Sequence, residues 1–443
     1  MRILQIQRIQ TTCQNRWSPA PVEVSRALGG ENLWFTGETF QTVEGFGGCF
    51  NELGWLALQE AEPSQREAFF DMLFSPDQMN ISLWRVPIGA SDFALKWYSH
   101  NETEGDFEME HFSISRDEQI LLPYLKAAQK RRKGEPVTVF ASPWSPPTWM
   151  KNPPVCNYGN MIMEPRYLKA YALYFVKFIQ AYEAHGIHVD QVHVQNEPVS
   201  SQKFPSCIWT GEQMALFIGE YLGPAFQEHG ITAEIWLGTL NGQENDGRLL
   251  YTGFDNYANL VMNDPKAARY IKGISYQWAG KNTIHQTVAS FPQLRYLHSE
   301  VECGDGENSW AYAEYVFTLL WRYFSAGVCG NVYWNMALKQ GGESSWGWRQ
   351  NSFVTVSPDG AVTYQPEFYV FRHFSQFVKP GAVRLGLKGV WNGTALAFQN
   401  PDGSRVLVAQ NGLDVRRELA FQIGEQVCRM TLEPHSWNTV VME

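Results

Sequence analysis

The chain has 443 residues, 44% of them hydrophobic and 14% aromatic (17 Trp, 19 Tyr and 27 Phe), with a formal net charge of −10. This length exceeds one ordinary domain and suits a barrel of roughly 250–350 residues with a small partner. The negative charge argues against nucleic acid or an anionic membrane surface as the main partner. The seven cysteines include no C-x-x-C pair, so neither a zinc site nor a full disulfide framework is signalled. Reduced thiols are expected; Cys156 and Cys207 both follow proposed strand ends and could be neighbours.

The start, Met1 to Arg8, has no long apolar run, and no stretch reaches transmembrane length. A cytoplasmic enzyme is expected, or a secreted one if the chain is a mature form. Residues 1–43 alternate polar and apolar positions and are broken by Pro19, Pro21 and Gly29-Gly30, as short strands outside a barrel would be. Val43 to Phe50 then reads as a first barrel strand. Its glycines, Gly45, Gly47 and Gly48, suit a backbone that passes close to something bulky. No Lys-Ser/Thr pair follows to make it a phosphate loop. A helix is expected over 63–75, with Phe69, Phe70 and Leu73 on one face.

Ile81 to Gly89 is the second strand. It holds Arg85, and a charge inside an apolar strand is costly unless paired. Arg85 is therefore expected beneath a carboxylate that it keeps ionised; a purely structural ion pair is the plainer alternative. The acidic residues of 101–110 read as a solvated face. After a helix over 115–131 and a third strand over 136–142, Pro143, Pro146 and Pro147 hold Trp144 and Trp149 rigidly beyond the strand end. Helices over 165–185, 211–229 and 310–325 alternate with strands over 189–197, 234–240, 271–278, 293–300 and 330–335. Eight strands alternating with helices predict a parallel α/β architecture closed into a (β/α)8 barrel. Beyond about residue 378, short runs such as 390–398, 405–410, 418–423 and 428–432 predict an all-β sandwich. The expected organisation is 1–43 as N-terminal sandwich strands, 44–377 as the barrel and 378–443 as the C-terminal sandwich, so both chain ends build one module.

The fourth and seventh strands end in carboxylic acids, Glu197 and Glu300. Barrel active sites gather at that end of the strands, and two carboxyls from separate strands are what glycoside hydrolysis requires. A carbohydrate is therefore the expected substrate, with no metal or organic cofactor. Asp92, just past the second strand, is suited to accept from two adjacent sugar hydroxyls, and rigid aromatics suit sugar C–H faces. Glu302 has the same spacing parity as Glu300, and Asp305 and Glu307 follow; Glu300 is preferred because it ends the apolar run directly. A non-catalytic sugar-binding protein on a decayed barrel is the rival of another class, and retention of both acids counts against it. A transglycosidase would use the same pair.

Several motifs stand in a recognisable order: Gly45-Phe46-Gly47-Gly48, Arg85-Val86-Pro87-Ile88-Gly89 with Asp92-Phe93, Ser142-Pro143-Trp144-Ser145-Pro146-Pro147, Asn196-Glu197-Pro198, Ser299-Glu300 and Trp334-Asn335. On these the chain resembles glycoside hydrolase family 30, the family of glucosylceramidase and of bacterial β-glucosidase, β-xylosidase and β-1,6-glucanase relatives. The resemblance spans nearly the whole chain. It implies a retaining β-glycosidase with Glu197 as acid/base and Glu300 as nucleophile, their carboxyls about 5–5.5 Å apart. It further implies that Asn196 bonds the sugar 2-hydroxyl and that Asp92, Trp144 and Trp334 line the terminal subsite. Where the glucosylceramidase relatives carry His-Trp-Tyr, this chain has Tyr276-Gln277-Trp278; the ring at Trp278 is kept, and Tyr276 is the candidate to supply the missing hydroxyl. An exo-acting β-glucosidase-like enzyme is expected, with β-1,6-glucanase or galactanase, β-xylosidase and β-fucosidase as alternatives. Loops 98–113, 151–164, 241–256 and 339–352 are expected to decide among them, the last with its Trp346 and Trp348 bordering the mouth. Oligomeric state is not legible in the sequence.

Overall fold

The eight apolar runs close into one parallel barrel in chain order: Gly45–Cys49, Leu83–Pro87, Thr138–Ser142, Gln191–His193, Glu234–Leu240, Ile271–Gln277, Arg295–Val301 and Gly330–Asn335. This computed structural model describes residues 5–26, 29–242 and 257–443. Most of the expected specificity loop 241–256 thus lies outside the described residues.

The barrel interior is layered by strand alternation. At one level Leu83, Phe140, Trp236, Leu297 and Val332 form a closed apolar plug. His193 lies in this plug between the rings of Phe140 and Trp236, at 4.4 and 5.1 Å, and burial pushes its imidazole well below the usual range. Two residues on from Leu83 and Leu297, the inward positions are Arg85 and Ser299, so the next level is polar and the carboxylates stand above it. The first strand is glycine-rich for a steric reason: a Cβ at Gly47 would collide with the Leu83 carbonyl, and one at Gly48 with the Met336 side chain.

Six C-terminal strands, Val383–Gly389, Ala395–Gln399, Arg405–Asn411, Arg417–Ile423, Gln426–Leu432 and Ser436–Met442, share one sheet with Ile6–Thr11, Ser18–Pro19, Glu23–Ser25 and Leu33–Thr42. Ile6–Thr11 lies antiparallel along Ser436–Met442 from Ile6↔Met442 to Thr11↔Trp437. Period-two alternation gives these strands two buried faces. Ala395, Ala397, Leu407, Ala409 and Val440 form the sandwich core, whereas Leu396, Phe398, Val406, Val408 and Trp437 pack against the barrel helices. Trp310 stacks on Trp437 at 4.3 Å, and His373 bonds both Thr11 and Thr439.

Several local expectations change. The regular part of the fourth strand shortens to Gln191–His193, although Gln195 and Glu197 still donate backbone N–H to the carbonyls of Gly238 and Thr239. The helix expected over 211–229 contains a wide turn at Ile218–Leu222, closed by Gly223 N–H to the Ile218 carbonyl. Pro224 has no N–H with which to continue a tight ladder. A strand begins at Val383, and residue 390 falls in the turn after it. Cys156 and Cys207 are both free thiols.

Candidate active site

Arg85 is fully buried and donates to six oxygens at the barrel mouth. The shortest contacts, both 2.7 Å, go to Glu300 Oε2 and Asn196 Oδ1. Longer ones reach Ser142 Oγ (3.2 Å), the Ser299 carbonyl (3.2 Å), Gln277 Oε1 (3.4 Å) and Thr239 Oγ1 (3.5 Å). Its guanidinium also lies 4.6 Å from the Trp144 ring and 5.3 Å from that of Trp334. A planar fork of five N–H donors is needed to hold the ends of so many strands at once.

Local irregularities aim the two acids. Leu297 and Ser299 face inward, so strict alternation would turn Glu300 outward beside His298, which stacks on the helix residue Tyr323 at 3.6 Å. Register shifts against both neighbouring strands fall between His298 and Val301, and this bulge turns Glu300 back over the mouth. Glu197 has φ +49°, a left-handed conformation that costs a non-glycine residue about 1–2 kcal/mol. The strain is held at a site residue by the Glu197 N–H to Thr239 carbonyl bond at 2.9 Å. Trp278 is also left-handed, with φ +47°, and its indole N–H reaches Glu300 Oε1 at 2.9 Å.

The carboxyls therefore have unlike surroundings. Glu300 takes a guanidinium on one oxygen and an indole N–H on the other. Among the described residues, Glu197 Oε1 accepts only from the neutral Gln277 amide, at 3.0 Å. Burial, and then the charge of Glu300, push the Glu197 carboxyl up to about 7, against opposing effects of Gln277, Arg85 and Ser200. Asp92 is also pushed well above its ordinary range, by burial and then by Glu300 and Glu197. All three acids line one cavity of about 230 Å³, together with Trp144, Asn196 and Trp278.

Of the expected site residues, Asp92, Trp144, Asn196, Glu197, Trp278 and Glu300 meet at this cavity and Arg85 lies beneath it. Trp334 is one layer deeper, fully buried against Trp144 at 5.2 Å between ring centroids. Tyr276 is a correction. Its side chain points outward from the sixth strand, and its hydroxyl bonds Thr287 Oγ1 at 2.7 Å, so it supplies nothing to Glu300. Gln277 faces inward by parity and Trp278 supplies the donor. Glu302 also leaves the site: it pairs with Lys281 and accepts from the Tyr315 hydroxyl at 3.1 Å. In the acidic loop Glu102, Glu104, Glu108 and Glu110 are exposed, as expected of a solvated face, and Glu102 also accepts from the backbone N–H and hydroxyl of Thr148.

Sequence reasoning missed Gln277, which donates to Glu197 and to Asn196 Oδ1 (3.2 Å), and Thr239, which donates to the same Asn196 oxygen at 3.0 Å. Inward parity was the available signal for Gln277. The expected border at 339–352 is present: Trp348 lines the cavity 6.0 Å from Trp278, and Trp346 donates to the Asp92 carbonyl at 3.1 Å.

Arg85→Met is expected to lower unfolding stability by about 3–5 kcal/mol, because it leaves a buried carboxylate unpaired. Denaturant titration with parallel activity assays checks this; unchanged stability would mean that the pair at the barrel mouth is relaxed in solution.

The Glycosyl hydrolase family 30 TIM-barrel domain model matches residues 43–378, and the Glycosyl hydrolase family 30 beta sandwich domain model matches residues 381–440. The lysosomal acid glucosylceramidase of Mus musculus is 29% identical, over 84% of this chain and 75% of that protein. The endo-1,6-beta-D-glucanase neg1 of Aspergillus fumigatus is 27% identical, over 92% of this chain and 88% of that protein. Among solved structures, SrfJ from Salmonella typhimurium shares the fold with a TM-score of 0.87 at 24% identity, covering 99% of each chain. The endo-beta1,6-glucanase BT3312 superposes with a TM-score of 0.85 at 25% identity, covering 98% of each chain.

Proposed function

We propose that this chain, which belongs to glycosyl hydrolase family 30 and is a glycoside hydrolase, cleaves a β-linked sugar with retention of configuration by double displacement. The observation that carries the reading is the contrast between the two carboxyls. Glu300 is held by a guanidinium and an indole N–H, and Glu197 by a neutral amide with its proton affinity raised. Environments that push two acids apart assign one as nucleophile and the other as proton donor.

In the first step a Glu300 oxygen attacks the anomeric carbon while Glu197 delivers its proton to the glycosidic oxygen. The C–O bond breaks and the aglycone leaves as an alcohol. Glu300 is now an uncharged ester, so the second-largest cause of the raised Glu197 proton affinity is gone. Glu197, now a carboxylate, takes a proton from water as the water oxygen attacks the same carbon and frees Glu300. Asn196 Oδ1 is occupied by Arg85, Thr239 and Gln277, which leaves its amide N–H2 to meet the sugar 2-hydroxyl. Asp92 accepts from hydroxyls farther round the ring. The Trp334 indole N–H, one layer below the cavity, has no partner among the described residues.

Among the described residues the cavity of about 230 Å³ is smaller than the roughly 300–1,000 Å³ typical of ligand pockets, which supports exo action of the β-glucosidase kind, with one terminal sugar on Glu300 and the leaving group toward the mouth. Cleavage of β-1,6-linked glucan is the second reading, favoured by the two endo-1,6-glucanase relatives. Initial rates on 4-nitrophenyl β-glucoside, xyloside, galactoside, fucoside and glucuronide test the proposal. One strongly preferred sugar is expected. Silence across the panel, with cleavage of a β-1,6-linked glucan, would replace exo action by the second reading.

The acid must carry its proton in the free enzyme, so a raised affinity preserves activity as pH rises toward 7 and deprotonation removes it above. We expect kcat/KM to fall about tenfold per pH unit above roughly 7. A profile flat through pH 9 would contradict the assignment of Glu197.

A further inference from the structure

The loops beside Glu197 carry a polar cluster for which the two-carboxylate reading has no use. Ser200 Oγ accepts from Asn241 Nδ2 at 2.6 Å and from Gln202 Nε2 at 3.2 Å. Both its lone pairs are thus engaged, which leaves its own hydrogen free to turn toward the Glu197 carboxyl, whose proton affinity Ser200 lowers. Asn241 Oδ1 is buried and has no partner among the described residues. Phe204 follows on the same loop and leans on Trp346 and Trp348, with ring centroids 5.0 and 6.5 Å away.

Position identifies what these groups meet. Glu197 protonates the leaving oxygen, so side chains on its flank face the leaving group rather than the sugar retained on Glu300. Their chemistry is distinctive: among the described residues that line the cavity, every one is acidic, amide, hydroxyl or aromatic, and none is aliphatic. An alkyl chain here would strip water from Asn241, Gln202 and Ser200 and return no hydrogen bond, a loss for each buried polar group. A sugar returns O–H donors, Asn241 Oδ1 among their acceptors, and sets its C–H face against Phe204 or Trp348.

We infer that the leaving-group side of the cleft, built from Ser200, Gln202, Asn241, Phe204 and Trp348, selects a second sugar unit over an alkyl or sphingoid chain. This rests on the proposed function and names its aglycone class.

The test uses the full chain with three substrates that share the glycone preferred on the aryl panel: the 4-nitrophenyl glycoside, a β-1,6-linked disaccharide and the octyl glycoside. Wild-type kcat/KM is expected to favour the disaccharide over the octyl glycoside by tenfold or more. Asn241→Leu, which deletes the acceptor and adds aliphatic surface, is expected to cut that ratio about tenfold through loss on the disaccharide. Gln202→Leu is the second variant should Asn241→Leu not fold, with the same direction expected. A wild-type preference for the octyl glycoside, or a ratio unmoved in a folded variant, overturns the inference while cleavage of the aryl glycoside leaves the proposed function standing. Failure to cleave any of the three, and a β-1,6-linked glucan as well, overturns both.

Discussion

Glu300→Gln is expected to abolish turnover, by roughly 10⁴-fold or more, in a protein that remains folded. The amide is nearly the same size, but its single oxygen can meet only one of the two donors that bond separate oxygens of Glu300, Arg85 or the Trp278 indole N–H. It has no anionic oxygen to attack the anomeric carbon. Arg85 loses its charged partner but keeps Asn196, Ser142, Thr239, Gln277 and the Ser299 carbonyl, so some stability is lost and the fold is not. A second signature accompanies the loss. The Glu300 charge is the second-largest cause raising Glu197, so Glu197 should titrate lower in the variant, as followed by carboxyl NMR. Near-normal activity would sink the assignment, whatever the titration shows.

Glu197→Ala should lose activity in proportion to how much the leaving group needs a proton. On unactivated glycosides the loss is expected to be about 10²–10⁴-fold, the usual contribution of general acid–base catalysis. On an activated aryl glycoside the first displacement needs little acid help, and the missing base should stall the glycosyl-enzyme instead. Added azide needs no base, so it should restore turnover and yield a β-glycosyl azide, detectable by NMR. Full activity without azide, on either substrate class, would reject Glu197.

The strand count, the glycine-rich first strand and the buried arginine were legible because each follows from one-dimensional rules: apolar runs, a backbone that tolerates no Cβ, and a charge that must be paired. The sandwich was legible as short alternating runs, although its pairing of Ile6–Thr11 with Ser436–Met442 joins residues more than 400 apart. The aim of Glu300 was not legible. Alternation from Leu297 sends it outward, and only the bulge that registers the seventh strand against its neighbours corrects this. The same kind of non-local fact decided Tyr276 against Trp278. Motif comparison preserved a ring and a hydroxyl, whereas the left-handed turn at Trp278 swings an indole N–H into the tyrosine's place and leaves Tyr276 facing a helix. The Ser200 cluster joins two loops whose meeting depends on the closed barrel, and nothing in either loop alone announces it.

In the proposed double displacement Glu300 becomes covalently bound to the sugar. Incubation with a 2-deoxy-2-fluoro β-glycoside bearing an activated leaving group, followed by proteolysis and mass spectrometry, tests it most directly. One added fluorosugar per chain is expected, on the peptide containing Leu297-His298-Ser299-Glu300 and localised to Glu300. A label on Glu302 or elsewhere, or steady turnover with no covalent adduct and inverted product, would contradict it.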